Sequence, residues 1–329
     1  MKIAAVVVTF NRKEYLVKNI EALLAQVNAP MDILIIDNAS TDGTEETIRH
    51  YMDAGQILYE NTGENLGGAG GFNFGIRRAY EAGYDAIWIM DDDTYPHPDA
   101  LEKFLQADKD LNGMYGYLAG KVLWKDGSWC EMNTPKYKGG MAEGKYKQIV
   151  QSSFVSMFIP RKSVATYGLP IKEFFIWGDD VEYTRRIALR EPSYLVEDSQ
   201  VLHDTKNNVG SNIVYDDERI DRYRYAYRNE MYIALHEGWK RRVYQQLKIW
   251  YHIAKILLKS SQKKRKIRLI LSASKEGKTF NPSIEYISDG RYGADNYGKE
   301  SACTGSIWRA NLQWRSGIFC DQHCAAYQS

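Results

Sequence analysis

The sequence predicts an α/β fold: a mainly parallel, doubly wound sheet flanked by helices, with a further helical region at its carboxyl side. Two observations carry this. From Ile3 to Leu105, short apolar runs alternate with stretches whose apolar residues recur at helical spacing, the pattern of buried parallel strands joined by crossover helices. Polar clusters then close three of those runs, Thr9-Phe10-Asn11-Arg12, Asp37-Asn38 and Asp91-Asp92-Asp93, at the strand ends where open parallel sheets receive ligands.

The elements follow in order. Ile3 to Phe10 is a Val-rich strand, and Arg12 to Gln26 carries Tyr15, Leu16, Ile20, Leu23 and Leu24 at helical spacing. Ile33 to Ile36 is a second buried strand, followed by a helix from Thr41 to about Met52. Ile57 to Tyr59 is a third strand; Gly67 to Gly71 then opens a helix continuing from Phe72 to Glu81. Ala86 to Met90 is the fourth strand, and Pro98 to Leu105 starts the next helix. Beyond Gly113 the pattern loosens. Tyr117 to Trp124 reads as a strand, Lys125 to Gly144 as a mobile loop rich in Gly and Lys, and Phe154 to Ile159 as a strand closed by Pro160-Arg161. Glu173 to Trp177 leads to the acidic pair Asp179-Asp180, a helix from Val181 to Arg190, and a strand from Tyr194 to Leu202 ending in His203-Asp204. A basic-aromatic stretch follows Ile220, then one or two cation-rich helices between Trp239 and Ile270. This divides the chain into a catalytic domain over 1–205, a helical accessory region over 206–299 and an atypical tail over 300–329.

Composition narrows the class. The chain has 329 residues, 44% hydrophobic and 26% charged, with a formal net charge of +1, so bulk electrostatics do not call for nucleic acid. Aromatics reach 13%, with 24 Tyr and 8 Trp, which suits sugar stacking or a membrane-interface surface. Four cysteines, Cys130, Cys303, Cys320 and Cys324, make no disulfide framework, and a reducing cytoplasm is the expectation. Met1-Lys2 leads straight into a strand-like run with no signal peptide, and no apolar run is long enough to span a membrane.

Three adjacent carboxylates resist burial together unless a cation offsets them, and hard divalent ions with oxygen ligands meet that need. An acidic surface loop or a helix start is the alternative. Asp179-Asp180 supplies a second pair, equally suited to general-base chemistry and to capping the following helix. Gly67 to Gly71 permits close backbone approach at a helix N-terminus, which favours phosphate or polar sugar groups; it is neither a P-loop nor the spaced dinucleotide fingerprint. Asp37 fits a nucleotide edge or an Asx turn. Arg12 fits the same pocket or a solvated helix start, and Trp177 an acceptor sugar or the core. The region from Trp239 to Ile270 is basic and amphipathic, as for docking on an anionic membrane surface, or else a solvated helix or an oligomer contact.

Taken in order, Val7-Val8-Thr9-Phe10-Asn11-Arg12, Ile36-Asp37-Asn38-Ala39-Ser40-Thr41-Asp42-Gly43, Asp91-Asp92-Asp93 and Trp177-Gly178-Asp179-Asp180-Val181-Glu182-Tyr183 resemble the successive signatures of the inverting family 2 glycosyltransferases, which have the GT-A fold. Asn65-Leu66-Gly67-Gly68-Ala69-Gly70-Gly71-Phe72, Trp177 and the late His203 resemble the galactofuranosyltransferase branch. The resemblance implies a metal, Mg or Mn, on Asp91, Asp93 and His203, bridging a donor diphosphate. It implies a nucleotide-sugar pocket of Thr9, Asn11, Arg12, Asp37, Asn65, Gly67, Gly68 and Asp92, with Trp177 facing an acceptor sugar. Asp180 would be the general base and Asp179 its orienting neighbour. The implied donor is UDP-galactofuranose, or dTDP-rhamnose second. The implied acceptor is a growing cell-surface polysaccharide or polyprenyl-linked glycan, reached from the cytoplasmic face of the membrane. Two other classes share the strand-end acids: a sugar nucleotidyltransferase, which usually wants glycines after the first strand that Thr9 to Lys13 lacks, and a non-catalytic nucleotide-sugar binder. Ser288 to Lys299 resembles the family's usual carboxyl end; Cys320, His323 and Cys324 match no trusted zinc spacing.

Overall fold

Among the described residues ten strands form one sheet, in which, numbered in chain order, the third, second, first, fourth, ninth, sixth, tenth, eighth and seventh lie side by side and the fifth pairs with the tenth. The computed structural model describes residues 1–140 and 144–287, so the tail signatures from Ser288 onward lie outside the described residues.

The first four elements of the sheet are as the hydrophobic pattern predicts. β1 (Ile3–Thr9), β2 (Asp32–Asp37), β3 (Leu58–Asn61) and β4 (Ala86–Asp91) are mutually parallel. They are joined by α1 (Lys13–Leu24), α2 (Thr44–Asp53) and α3 (Gly67–Glu81). After α4 (Ala100–Asp110) come β6 (Leu118–Leu123), β9 (Met157–Pro160) and β10 (Ser193–His203). β9 runs against both β4 and β6, which restores β6 and β10 to the direction of β1. The main layer is therefore mostly parallel. β1 is buried along its whole length. Trp88 is fully buried and stacks edge-on against Phe104, its indole N–H donating to Ser156 Oγ at 3.0 Å. This satisfies the one polar atom of a large core side chain.

Several elements were not legible. The three-residue strand β5 (Thr94–Pro96) directly follows the acidic triplet and pairs antiparallel with the end of β10. The segment from Lys125 to Gly144 is not simply a mobile loop. It is pinned by fully buried Cys130, holds a 3₁₀ turn at Glu131–Asn133 and strand β7 (Lys136–Tyr137), and is followed by β8 (Lys147–Gln151). Phe154–Ser156 is a 3₁₀ turn rather than strand, whereas the strand does close at Pro160 as expected, and that proline is also the N-cap of α5 (Arg161–Tyr167).

α6 (Asp179–Ala188) is followed, after β10, by α7 (Tyr223–His236), α8 (Trp239–Lys259) and α9 (Lys263–Gly277). The basic-aromatic stretch is thus itself a helix, and the cationic region is two helices broken at Ser260-Ser261-Gln262. α7 grips the turn ahead of α6. Asn229 Nδ2 donates to the carbonyls of Phe174, Ile176 and Trp177 at 3.0, 3.3 and 2.8 Å, and Arg228 donates to those of Glu173 and Phe174. That turn holds Phe175 and Trp177 at φ +63° each, a conformation costly for large side chains and tolerated only where surroundings over-determine it.

Close packing of α3 on the sheet depends on glycine. A Cβ on Gly75 would meet Val6 Cγ1 at 2.5 Å and Ile36 Cγ1 at 2.9 Å, whereas one on Gly68 would meet nothing within 4 Å. Gly75→Val should therefore destabilise the protein by about 1–3 kcal/mol or more, while Gly68→Ala should change stability by less than about 1 kcal/mol; thermal unfolding of the two variants measures the difference.

Candidate active site

The carboxyl ends of adjacent strands bring the polar clusters together. In register, Thr9 pairs with Asp37 across β1–β2, and Val8 pairs with Asp91 across β1–β4. Thr9 Oγ1 donates to Asp92 Oδ2 at 2.8 Å. Arg12, at the start of α1, reaches Asp92 Oδ1 at 3.1 Å and Asp93 Oδ2 at 2.8 Å while lying over the Tyr15 ring. It is therefore an ion-pair partner of the acidic triplet rather than a solvated helix start. The pairing of His203 with Thr94 in β10–β5 sets the imidazole beside the triplet, and His203 Nε2 lies 3.2 Å from Asp93 Oδ1.

Ligand atoms of Asp91, Asp93 and His203 all lie within 4.8 Å of one another. Asp93 Oδ1 is buried and makes no hydrogen bond of acceptable angle. Two hard carboxylate oxygens and one imidazole nitrogen, with an orphaned oxygen among them, fit Mg²⁺ or Mn²⁺. His203 is held from behind by Asn133 Oδ1 at 2.8 Å and Cys130 Sγ at 3.9 Å. A partner on the second ring nitrogen fixes the ring orientation, as is usual for ligating histidines. The sequence reading assigns neither Asn133 nor Cys130 to the site, because the segment that carries them gives no periodic signal.

Electrostatics mark the same spot. Burial, then Asp93, raises the Asp91 carboxyl to about 6. Burial raises Asp92 to about 7 against the opposing pull of Arg12. Asp93 is also penalised by burial, but its contacts with His203 and Arg12 hold it below the ordinary carboxylate value. Burial alone would lower His203, yet the Asp93 carboxylate 3.2 Å from its Nε2, the Cys130 thiol and the negative charges of Asp93 and Asp91 lift it to about 10.

Asp179 and Asp180 begin α6 after the left-handed Gly178. Burial raises Asp180 to about 6, with the Val181 N–H, which donates to its Oδ1 at 2.7 Å, working the other way. Burial and then Asp180 push Asp179 well up. Asp180 in turn raises Asp91, so the two acidic clusters share one field despite their separation in sequence.

The remaining predicted residues scaffold the pocket. Asp37 is buried and accepts from Ser40 N–H and Tyr59 O–H at 2.8 Å each; the Asx-type turn is real, and Tyr59 is a partner the sequence reading omits. Asn11, at φ +53°, accepts from Thr41 N–H at 2.7 Å, and its own N–H donates to Ser40 Oγ at 2.8 Å, locking the β1 and β2 ends together. Asn65 Oδ1 accepts from Gly67 N–H at 2.9 Å, and Asn38 Nδ2 donates to Gly67 O at 3.0 Å. A Cβ on Gly67 would stand 2.2 Å from the Phe175 carbonyl oxygen, so this glycine is required for contact with the turn before α6. Gly68 faces open space at the helix start. Trp177 packs against Tyr223 with ring centroids 5.1 Å apart and is half-buried; it serves both core and cavity wall.

Comparison with known proteins agrees with this arrangement. Residues 4–159 match the family described as Glycosyl transferase family 2. The galactofuranosyltransferase GlfT1 of Mycobacterium tuberculosis (strain ATCC 25618 / H37Rv) is 27% identical over 269 residues, covering 74% of this chain and 85% of that protein. The undecaprenyl-phosphate mannosyltransferase of Micrococcus luteus is 32% identical over 112 residues, covering 32% of this chain and 44% of that protein. Among solved structures, S. aureus TarS 1-349 in complex with UDP aligns at a TM-score of 0.53 with 15% identity, covering 85% of this chain and 72% of that one. The mannosyltransferase PcManGT from Pyrobaculum calidifontis, in complex with GDP-Man and Mn²⁺, aligns at 0.51 with 12% identity, covering 96% and 83%. Both structural likenesses speak to the fold. With its sheet-edge acids and this match, residues 4–159 are a family 2 glycosyltransferase domain, and the protein is a glycosyltransferase of GT-A fold.

Proposed function

We propose that this glycosyltransferase is metal-dependent and inverting, and that it moves galactofuranose from UDP-galactofuranose to a growing cell-surface polysaccharide or lipid-linked glycan. The observation that carries the reading is the single electrostatic field joining Asp91, Asp93 and His203 to Asp180. The relatives named GlfT1 support the donor sugar, with dTDP-rhamnose as the competing donor.

In this reading Asp91, Asp93 and His203 hold a divalent cation, which supplies positive charge to the leaving nucleoside diphosphate. Arg12 holds Asp92 and Asp93 in place, while Thr9, Asn11, Asp37, Asn65, Gly67, Gly68 and Asp92 frame the nucleotide-sugar pocket. Asp180, with a carboxyl near 6, is ionised at neutral pH yet close enough to it to accept the acceptor hydroxyl proton. Asp179, whose carboxyl is pushed up by burial and by Asp180, orients the acceptor. Residues 1–205 form the catalytic domain and 206–299 an accessory region.

The accessory region supports membrane-surface docking on the cytoplasmic side. Trp239, Leu247, Trp250 and Leu258 are 69, 64, 62 and 79% exposed along one side of α8, and between Trp239 and Lys275 the chain carries twelve Lys and Arg and no Asp or Glu. Exposed Trp and Leu flanked by cations is the pattern of helices lying in an anionic interface. Among the described residues no helix is long and apolar enough to cross a membrane.

Three measurements check this. Asp180→Asn should lower kcat about 10²–10⁴-fold with donor binding by calorimetry retained, and Asp93→Asn should abolish metal-stimulated transfer; normal turnover in both overturns the site, and preference for dTDP-rhamnose overturns the donor. Mn²⁺ binding at pH 8 should release a proton from His203, read from calorimetry in buffers of different ionisation heat. Its affinity should fall as pH drops from 8 to 6, and His203→Gln should remove the proton release. The protein should float with phosphatidylglycerol vesicles and not with phosphatidylcholine vesicles, and Trp250→Glu with Leu258→Glu should reduce flotation by about tenfold.

A further inference from the structure

Beside the turn that delivers Asp179 and Asp180, a cavity of about 160 Å³ opens between the sheet and α7–α8. Its wall holds Trp177, Gly178 and Val181 from the catalytic turn and α6, Lys136 and Gln151 from β7 and β8, and Arg241, Tyr244 and Lys248 from α8. None of Arg12, Asp37, Asp91, Asp92, Asp93 or His203 lines it, so it is a space apart from the acidic cluster while sharing the start of α6 with it.

The lining is cationic beyond what its own carboxylates answer. Glu230 pairs with Lys248. Glu237 is taken by Arg185 through two hydrogen bonds at 2.5 and 2.6 Å, leaving Arg241 Nε 4.0 Å from it, too far for a hydrogen bond. Arg241 Nε and Gln151 Oε1 are both buried and make no hydrogen bond. Among the described residues Lys136 has no ion pair. Partial burial of its ammonium, followed by the charges of Arg241, Arg185 and Lys248, depresses Lys136 although the residue as a whole is exposed, a further sign that like charges crowd the space. An unsatisfied buried guanidinium donor beside two further cations is costly unless an anion completes it. A planar guanidinium with ammonium neighbours is the donor set that phosphate oxygens favour.

We propose that this cavity is an acceptor subsite that binds a phosphate group carried by the acceptor, with Trp177 and Tyr244 flanking the sugar next to it. The assignment rests on the glycosyltransferase reading for the word acceptor, and on the cavity alone for phosphate. The site is walled by Gly178 and Val181, which flank Asp179 and Asp180 in the chain, and it lies away from the cluster assigned to the donor diphosphate, so the anion it takes is a second one. Arg241 and Lys248 lie on a side of α8 distinct from its exposed apolar stripe, so the helix serves the cavity and the surface at once.

The test uses the full chain with EDTA present and no donor, so its result is separate from that of any transfer assay. Inorganic phosphate titrated by calorimetry should bind saturably at one site; Arg241→Gln and Lys136→Met should each weaken it by about tenfold or more, and Asp93→Asn should leave it unchanged. Lys136 is exposed, so its variant guards against misfolding of the other. Absence of saturable binding, or an affinity in both variants equal to that of the unsubstituted protein, overturns the site. Galactose 1-phosphate should bind about tenfold tighter than inorganic phosphate and lose that advantage in Tyr244→Ala; equal affinity of the two probes would make this a site for free phosphate and overturn the acceptor assignment.

Discussion

Crowded, buried carboxylates at one sheet edge are the constraint around which this fold is arranged. Asp91, Asp92, Asp93, Asp179 and Asp180 arrive from two distant segments, and burial raises four of the five. Left alone, such a group would be expelled to solvent or stay fully protonated. Two protein cations prevent this. Arg12 spans Asp92 and Asp93, and His203 faces Asp93. Each is itself positioned by backbone structure, Arg12 by the start of α1 and His203 by the pairing of β10 with β5. Asp93 alone is held below its ordinary value, because it alone touches both cations. The remaining acids retain a deficit of positive charge.

The carboxyl-side helices are part of that arrangement. Asn229 and Arg228 of α7 bind successive carbonyls between Glu173 and Trp177, and Phe175 O accepts from Ala69 N–H of α3 at 3.1 Å. Two left-handed bulky residues stand in this turn, and its strain is offset by satisfied backbone groups on both sides. The glycine-rich start of α3, the turn and the acidic start of α6 are consequently one mechanical piece, and α7 clamps it. Function assigned to the acids therefore draws on helices far along the chain.

Much of this was legible in sequence. The strands and helices from Ile3 to Leu105 announced themselves through apolar periodicity, because each is buried on a face with a fixed repeat. The acids, Arg12 and His203 were legible as an ordered set of motifs at strand ends. What escaped notice has a common physical cause. β5, β7 and β8 have three, two and five residues, too few for a period to show. Cys130 and Asn133 matter through their distance to His203, not through any local pattern. Tyr59 looked like the end of a strand, and only the β2–β3 register makes it the partner of Asp37. The helix α7 was masked by its Tyr-Arg alternation, which mimics a strand period, while its buried residues Tyr223, Tyr227 and Met231 recur at helical spacing.

The placement of the two acidic segments also orders events in the proposed reaction. The charge of Asp180 raises the Asp91 carboxyl, so a cation at Asp91, Asp93 and His203 would lower the cost of ionising Asp180. The base then becomes more fully charged when the donor's cation is in place than when it is absent. The converse also holds: an ionised Asp180 strengthens cation binding by the same free energy, since linkage between two sites is reciprocal. An enzyme so built does not ready its base for an acceptor hydroxyl independently of its donor side. The coupling needs no moving part, only two carboxylates from remote segments held in one low-dielectric edge by β1, β4 and the clamped turn before α6.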